Sequence, residues 1–120
     1  MVRILVVDDE ENLLKTLSLI LKKHDFLVNT ATNGFQVLRL FQDGKKYDLL
    51  ITDVNLPVMD GFSLAKEVRK LCPEIRIIGM SGETFKNKDI EIFDYFLIKP
   101  FDMEELIFSI HHLLRVINSL

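Results

Sequence analysis

Hydrophobic positions along this chain follow two alternating periods. The unbroken runs Ile4-Leu5-Val6-Val7 and Leu49-Leu50-Ile51 read as strands covered on both faces. Leu13, Leu14, Leu17, Ile20 and Leu21 recur at helical spacing and predict a first helix, closed by Lys22-Lys23-His24, whose charge suits a helix C-terminus. Residues 26–31 predict a short second strand, and Asn33-Gly34 is turn chemistry. Phe35, Val37, Leu38 and Phe41 sketch a second helix stopped by Asp43-Gly44, and residues 48–52 a third strand of the buried kind. Leu64, Ala65, Val68 and Leu71 mark a third helix that ends at Cys72-Pro73, because proline disfavours helix in the residue before it. Residues 75–80 and 95–98 read as strands four and five. The last helix takes Asp102 as N-cap with Glu105 three on, and carries Leu106, Ile110, Leu113 and Ile117 along one stripe.

Strands alternating with helices predict an α/β fold, a five-stranded parallel sheet with helices on both faces, since each parallel pair needs a crossover connection. In such open sheets ligands bind outside the carboxyl ends of the strands. Composition narrows the partners. With 120 residues, 48% hydrophobic and 28% charged, the chain reads as one soluble domain over 1–120. A net charge of -3 with scattered Lys and Arg argues against a nucleic-acid surface. Cys72 is the single cysteine, so no internal disulfide forms, and neither a signal peptide nor an apolar span of membrane length is visible. A reducing cytoplasm is the expected setting.

The strand ends carry the chemistry. Strand one runs into Asp8-Asp9-Glu10-Glu11, strand three ends in Asp53, strand four in Ser81 and strand five in Lys99. Carboxylates gathered this closely repel unless a cation or water relieves them. Asp8, Asp9 and Asp53 offer oxygens to a hard divalent cation, and few carboxylates plus waters suit Mg²⁺.

These residues resemble the response-regulator receiver domains of two-component signalling, CheY-like proteins. The likeness covers nearly the whole chain: Val6-Val7-Asp8-Asp9-Glu10, then Thr52-Asp53-Val54-Asn55-Leu56-Pro57-Val58-Met59-Asp60-Gly61, then Met80-Ser81-Gly82, then Lys99-Pro100-Phe101. It implies a flavodoxin-like (βα)5 three-layer sandwich with strand order 2-1-3-4-5. It implies Asp53 as phosphoacceptor for a phosphohistidine, forming an aspartyl phosphate. Asp9 and Asp53 would ligate Mg²⁺ directly, Asp8 mostly through water, and the backbone carbonyl of Asn55 would add an oxygen. Lys99 would pair with phosphoryl oxygens and Ser81 would donate its hydroxyl to one. The physical logic is independent of the family, because phosphoryl transfer depends on positioning and charge neutralisation.

Each residue also has a plainer reading. Asp8 and Asp9 alone would be the N-cap and first turn of a helix, a reading that a third acid on a separate strand end removes. Ser81 alone would be a turn serine and Lys99 a solvated charge. Before Pro100, Lys99 is expected in a constrained, cis bond. His24, His111 and His112 read as solvent-facing or helix-end residues, and Asp48, Asp60 and Asp94 as turn and cap residues.

Two departures from the family pattern stand out. Residues 82–94 are shorter than usual by about one helical turn, taken at 3.6 residues, and the usual Gly-Ala before strand five is missing. A short or irregular fourth helix follows, marked only by Phe85, Ile90, Ile92 and Phe93. The family's switch Tyr is here Phe96, with Tyr95 on the opposite strand face. Phe96 can still move inward when Ser81 is drawn to a phosphoryl group. Asn55 and Glu83 hold positions that, by resemblance, tune phosphoryl lifetime, and predict a short one.

The implied partners are a sensor histidine kinase or histidine phosphotransfer protein, and a downstream protein or fused effector domain. The end at Leu120 fits a stand-alone receiver or one excised from a longer protein. Phe108 and Val116, off the core stripe, suggest a partner or homodimer contact. The alternatives are a pseudo-receiver that only docks, and a haloacid-dehalogenase-like phosphatase. The latter wants an Asp-x-Asp nucleophile motif on strand one and a cap domain, where this chain has Asp8-Asp9 and no room for a cap.

Overall fold

A computed structural model describes residues 1–83 and 88–118, with side chains described for 1–83 and 90–115. Five parallel strands form one sheet in the order β2-β1-β3-β4-β5. They are β1 Arg3–Val7, β2 Leu27–Ala31, β3 Leu49–Asp53, β4 Arg76–Ser81 and β5 Tyr95–Ile98. Four helices connect or follow them: α1 Glu11–Lys23, α2 Gly34–Gln42, α3 Gly61–Leu71 and α4 Met103–Asn118. Between β4 and β5 the described connection is a 3-10 helix, Lys88–Ile92. The fold is flavodoxin-like with an irregular fourth element, as the short 82–94 segment predicts; Phe85 lies outside the described residues.

Strand alternation sorts the core into two layers. Ile4, Val6, Ile51, Ile78 and Leu97 pack with Leu14, Leu17 and Leu21 of α1 and Leu106, Ile110 and Leu113 of α4. Leu5, Val7, Leu50 and Ile77 point the other way, against Val37 of α2 and Leu64, Ala65 and Val68 of α3. Every residue of β3 is buried, so the central strand must be apolar up to its functional end. Tyr95 joins the first layer and Phe96 the second, on opposite faces as expected.

Several sequence expectations change. Asn33 is the N-cap of α2, its side chain accepting the Gln36 N–H, so Asn33-Gly34 starts a helix. Phe35 and Leu71 are exposed and not core, Phe35 lying off the buried stripe of α2 and Leu71 being the last residue of α3. Asp60 does cap α3, through Ser63 N–H. Asp94 is neither turn nor cap: it pairs with Arg69 at 2.8 Å and accepts the Ile77 N–H. The side chains of Val116 and Ile117 lie outside the described set. Among the described residues no helix is long and apolar enough to cross a membrane.

Candidate functional site

Two strand ends place the acids. Asp8 follows β1 and is buried, Asp53 ends β3 and is buried, and Asp9 is exposed beside them. One carboxylate oxygen from each lies within 4.8 Å of the others. Lys99, after β5, enters from the far side, with Nζ 2.8 Å from Asp8 Oδ2 and 3.1 Å from Asp53 Oδ2. Its bond to Pro100 is cis, as the sequence predicts. Three carboxylates against one ammonium leave two negative charges uncompensated if all are ionised.

The helix-capping reading of the acids does not hold. Glu10 is the N-cap of α1 and makes no side-chain cap bond, while Asp8 Oδ1 accepts the Glu10 N–H at 2.9 Å. Asp8 is thus oriented by the turn that follows it, with its other oxygen left for Lys99. Asp53 is held the same way: its Oδ1 accepts the Asn55 N–H at 3.0 Å and its Oδ2 faces Lys99. Gly61 lets α3 start against this strand end, because a Cβ there would collide with the Asp53 carbonyl oxygen.

Electrostatics follow from the burial. Loss of water pushes the Asp53 carboxyl above the ordinary aspartate value; the Asn55 N–H and Lys99 oppose this, and Asp8 adds to it. Burial alone would lower Lys99, but the Asp8 hydrogen bond and the charges of Asp53 and Asp8 outweigh it and hold the amine above its usual value. Both directions are coherent, since the shared ammonium only partly offsets two carboxylates deprived of water.

Ser81 ends β4 fully buried. Its Oγ accepts the Glu83 N–H at 3.0 Å and the Asn55 Nδ2–H at 3.4 Å. The Asn55 side chain and the Glu83 backbone thus meet at Ser81, while Asn55 touches the cluster directly through its N–H to Asp53, and the Glu83 side chain is exposed. Phe96 packs against the second core layer, its ring 5.7 Å from that of Phe93. Both rings press on Gly79, where a Cβ would sit 2.9 Å from each. Of the singled-out acids, Asp48 binds the Arg3 N–H and Asp60 caps α3, both away from the cluster. His24 is the C-cap of α1, and His111 and His112 are exposed on α4. Sequence reasoning gave Thr52 no role, yet its buried hydroxyl donates to the Asp53 carbonyl at 3.0 Å. A lone hydroxyl residue in an apolar strand was the available signal.

Known proteins share this arrangement of chain. The family model described as response regulator receiver domain matches residues 4–111. The transcriptional regulatory protein RprY of Bacteroides fragilis is 39% identical over 121 residues, covering 98% of this chain and 51% of RprY. This chain therefore spans about half the length of that relative. A crystal structure of response regulator protein TrrA from Thermotoga maritima in complex with Mg²⁺-BeF superposes with TM-score 0.87 at 32% identity, over 94% of this chain and 99% of TrrA. A crystal structure of histidine kinase ThkA in complex with TrrA matches at 33% identity and TM-score 0.86, over 95% and 99%. A match running from β1 into α4, joined by a solved relative covered almost end to end, makes this chain a member of the response regulator receiver domain family of two-component systems.

Proposed function

We propose that residues 1–120 form a cytoplasmic phosphorylation switch in which Asp53 accepts a phosphoryl group from a histidine kinase or histidine phosphotransfer protein. One observation carries this reading: Lys99 Nζ bridges Asp8 and Asp53, fixing an amine beside a strand-end carboxylate that two further strand-end acids surround. An Asp53 oxygen attacks phosphorus, the new O–P bond forms as the N–P bond to the donor imidazole breaks, and the electron pair leaves with the imidazole. Lys99 then exchanges its carboxylate contact for phosphoryl oxygens. Ser81 Oγ already accepts two hydrogen bonds, so its own O–H is the group it has to give a phosphoryl oxygen.

The donor set fits Mg²⁺. Asp8, Asp9 and Asp53 are hard oxygen donors brought within 4.8 Å, with a two-charge deficit, and the Asn55 carbonyl is a further candidate. Bound there, the cation supplies charge neutralisation for the phosphoryl oxygens. The TrrA complexes, one with Mg²⁺-BeF and one with kinase ThkA, support carrying both the metal and the kinase partner to this chain.

Readout follows from Ser81. Movement of its hydroxyl toward a phosphoryl group frees space that Phe96 can enter, leaving the Phe93 ring and the 3-10 helix to respond. Asn55 and Glu83, both bonded to Ser81, tune how long the phosphoryl group persists. Phe108, 63% exposed and stacked on His112, is a contact for a downstream protein, a fused effector domain or a second copy. The domain is a switch and no metabolic enzyme, its chemistry confined to its own phosphorylation and hydrolysis.

Intact mass after incubation with Mg²⁺ and acetyl phosphate, with Asp53→Asn alongside, tests the reading. One added phosphoryl group that needs Mg²⁺ and is lost in the variant is the expected result. A gain that persists in Asp53→Asn overturns the assignment of Asp53. No gain from acetyl phosphate or from a phosphorylated histidine kinase would favour the docking module.

A further inference from the structure

The central strand carries one hydroxyl. Leu49, Leu50 and Ile51 of β3 are apolar, and Thr52, wholly buried, stands between them and Asp53. A valine would fill this place with the same shape and bring no polar atom that needs a partner. The end of the ladder explains the hydroxyl. Val54 N–H donates to the Met80 carbonyl at 2.8 Å, so by alternation the backbone groups of Asp53 face β1 on the other side. β1 pairs with β3 only as far as Val7 opposite Thr52, and the Asp8 N–H turns to the Ala31 carbonyl of β2. The Asp53 carbonyl thus lies one step past the last rung, without a backbone donor among the described residues. Gly61 also backs onto it so closely that a Cβ there would collide with it. The donor it receives is the Thr52 hydroxyl, at 3.0 Å.

We infer that Thr52 is a positioning residue for phosphoryl transfer, its hydroxyl pinning the Asp53 carbonyl and so fixing the direction in which the Asp53 carboxylate is presented. The inference rests on Asp53 being the phosphoacceptor. Peptide 53–54 is held at its N–H by the Met80 carbonyl and at its own carbonyl by Thr52. The next peptide is held at the Val54 carbonyl by the Gly61 N–H, and at the Asn55 N–H by Asp53 Oδ1. With each of these groups tied, the carboxylate keeps one oxygen on Asn55 and turns Oδ2 to Lys99. Release of the Asp53 carbonyl lets peptide 53–54 tilt about its remaining bond to Met80. That tilt carries the Cα–Cβ direction of Asp53 with it and loosens the Asn55 contact, whereas in-line attack on phosphorus needs the nucleophile held in place. A hydroxyl that did no more than satisfy a buried carbonyl would affect stability alone.

Thr52→Val removes the hydroxyl at nearly constant shape. The rate at which acetyl phosphate with Mg²⁺ phosphorylates the folded chain, followed by intact mass, is expected to fall about fivefold or more. The Asn55 amide resonance in a proton–nitrogen correlation spectrum should move with it, as the bond to Asp53 weakens. Thr52→Ser should return both toward native. Ile51→Val deletes a methyl from the same strand without touching a hydrogen bond, and should change neither. If valine prevents folding, Thr52→Ala against Thr52→Ser keeps the comparison, since those two differ by the hydroxyl alone. A valine variant phosphorylated at the native rate overturns the inference. So does a slow one whose Asn55 resonance stays in place, whose rate serine does not restore, or whose loss Ile51→Val shares. A native chain that takes no phosphoryl group from acetyl phosphate or from a phosphorylated histidine kinase overturns the phosphoacceptor reading, and this inference with it.

Discussion

Val58 has a φ of 69°, a left-handed backbone that a β-branched side chain adopts only against steric cost, and at 88% exposure its side chain gains little packing in return. Asparagine adopts this conformation more readily. Val58→Asn should therefore raise stability by about 1 kcal/mol, seen as a higher urea midpoint with unchanged m; an unmoved midpoint would show that the turn pays no such strain. Tyr47 gives a residue-scale pH effect. Burial pushes its phenol above the ordinary tyrosine value, with Arg3 opposing, while its hydroxyl donates to Asn29 Oδ1 at 2.8 Å. A folded value above the unfolded one means its contribution is fully present below the unfolded value of about 10 and lost as pH rises through the folded value. Thermal melts above pH of about 10 should thus fall more steeply for the native chain than for Tyr47→Phe. Parallel alkaline limbs would remove Tyr47 from the account.

At the scale of elements, the short connection before β5 is held by one side chain. Arg69 on α3 donates from Nε and Nη2 to the Ile92 carbonyl, from Nη1 to the Ile75 carbonyl, and pairs with Asp94, which Arg76 also approaches at 3.7 Å. Arg69→Ala should cost about 2 kcal/mol, discounted for its partial exposure, and speed amide exchange chiefly in residues 90–94. Uniform acceleration across the sheet would mean that Arg69 supports the whole fold and not this segment. This clamp also marks the limit of what the sequence discloses. The strands, the two-sided layering and the cluster of Asp8, Asp9, Asp53, Ser81 and Lys99 were legible because buried runs stop abruptly at polar residues. Asp94 was not, since its partner lies 25 residues away and nothing local distinguishes it from a turn aspartate. Phe35 and Leu71 misled for the opposite reason: apolar spacing records what a helix can bury, and only packing decides what it does. Asn33-Gly34 suits both a turn and a helix start, and the Gln36 N–H settles it.

Across the whole molecule, both core layers converge on an edge that folding leaves electrostatically unsatisfied. β3 buries its whole strand and β1 all of its strand but Arg3, together they deliver Asp8 and Asp53 to the same point, and the hydrophobic gain of that burial sustains a repulsion that Lys99 only partly offsets. A cation bound there acts on the folded chain alone, because the unfolded chain does not hold the three acids together. Binding should then stabilise by mass action, by about 2.7 kcal/mol at a hundredfold excess over the dissociation constant. Thermal melts with millimolar MgCl₂ are expected to rise well beyond those in NaCl of equal ionic strength, since screening by itself also softens like-charge repulsion. In Asp9→Asn the difference between the two salts should shrink sharply, because the substitution removes one exposed carboxylate of the proposed site and leaves the Lys99 bridge in place. If MgCl₂ and NaCl act alike on the native chain, the carboxylates are merely crowded, and the charge deficit at this edge is met by water and not by a dication.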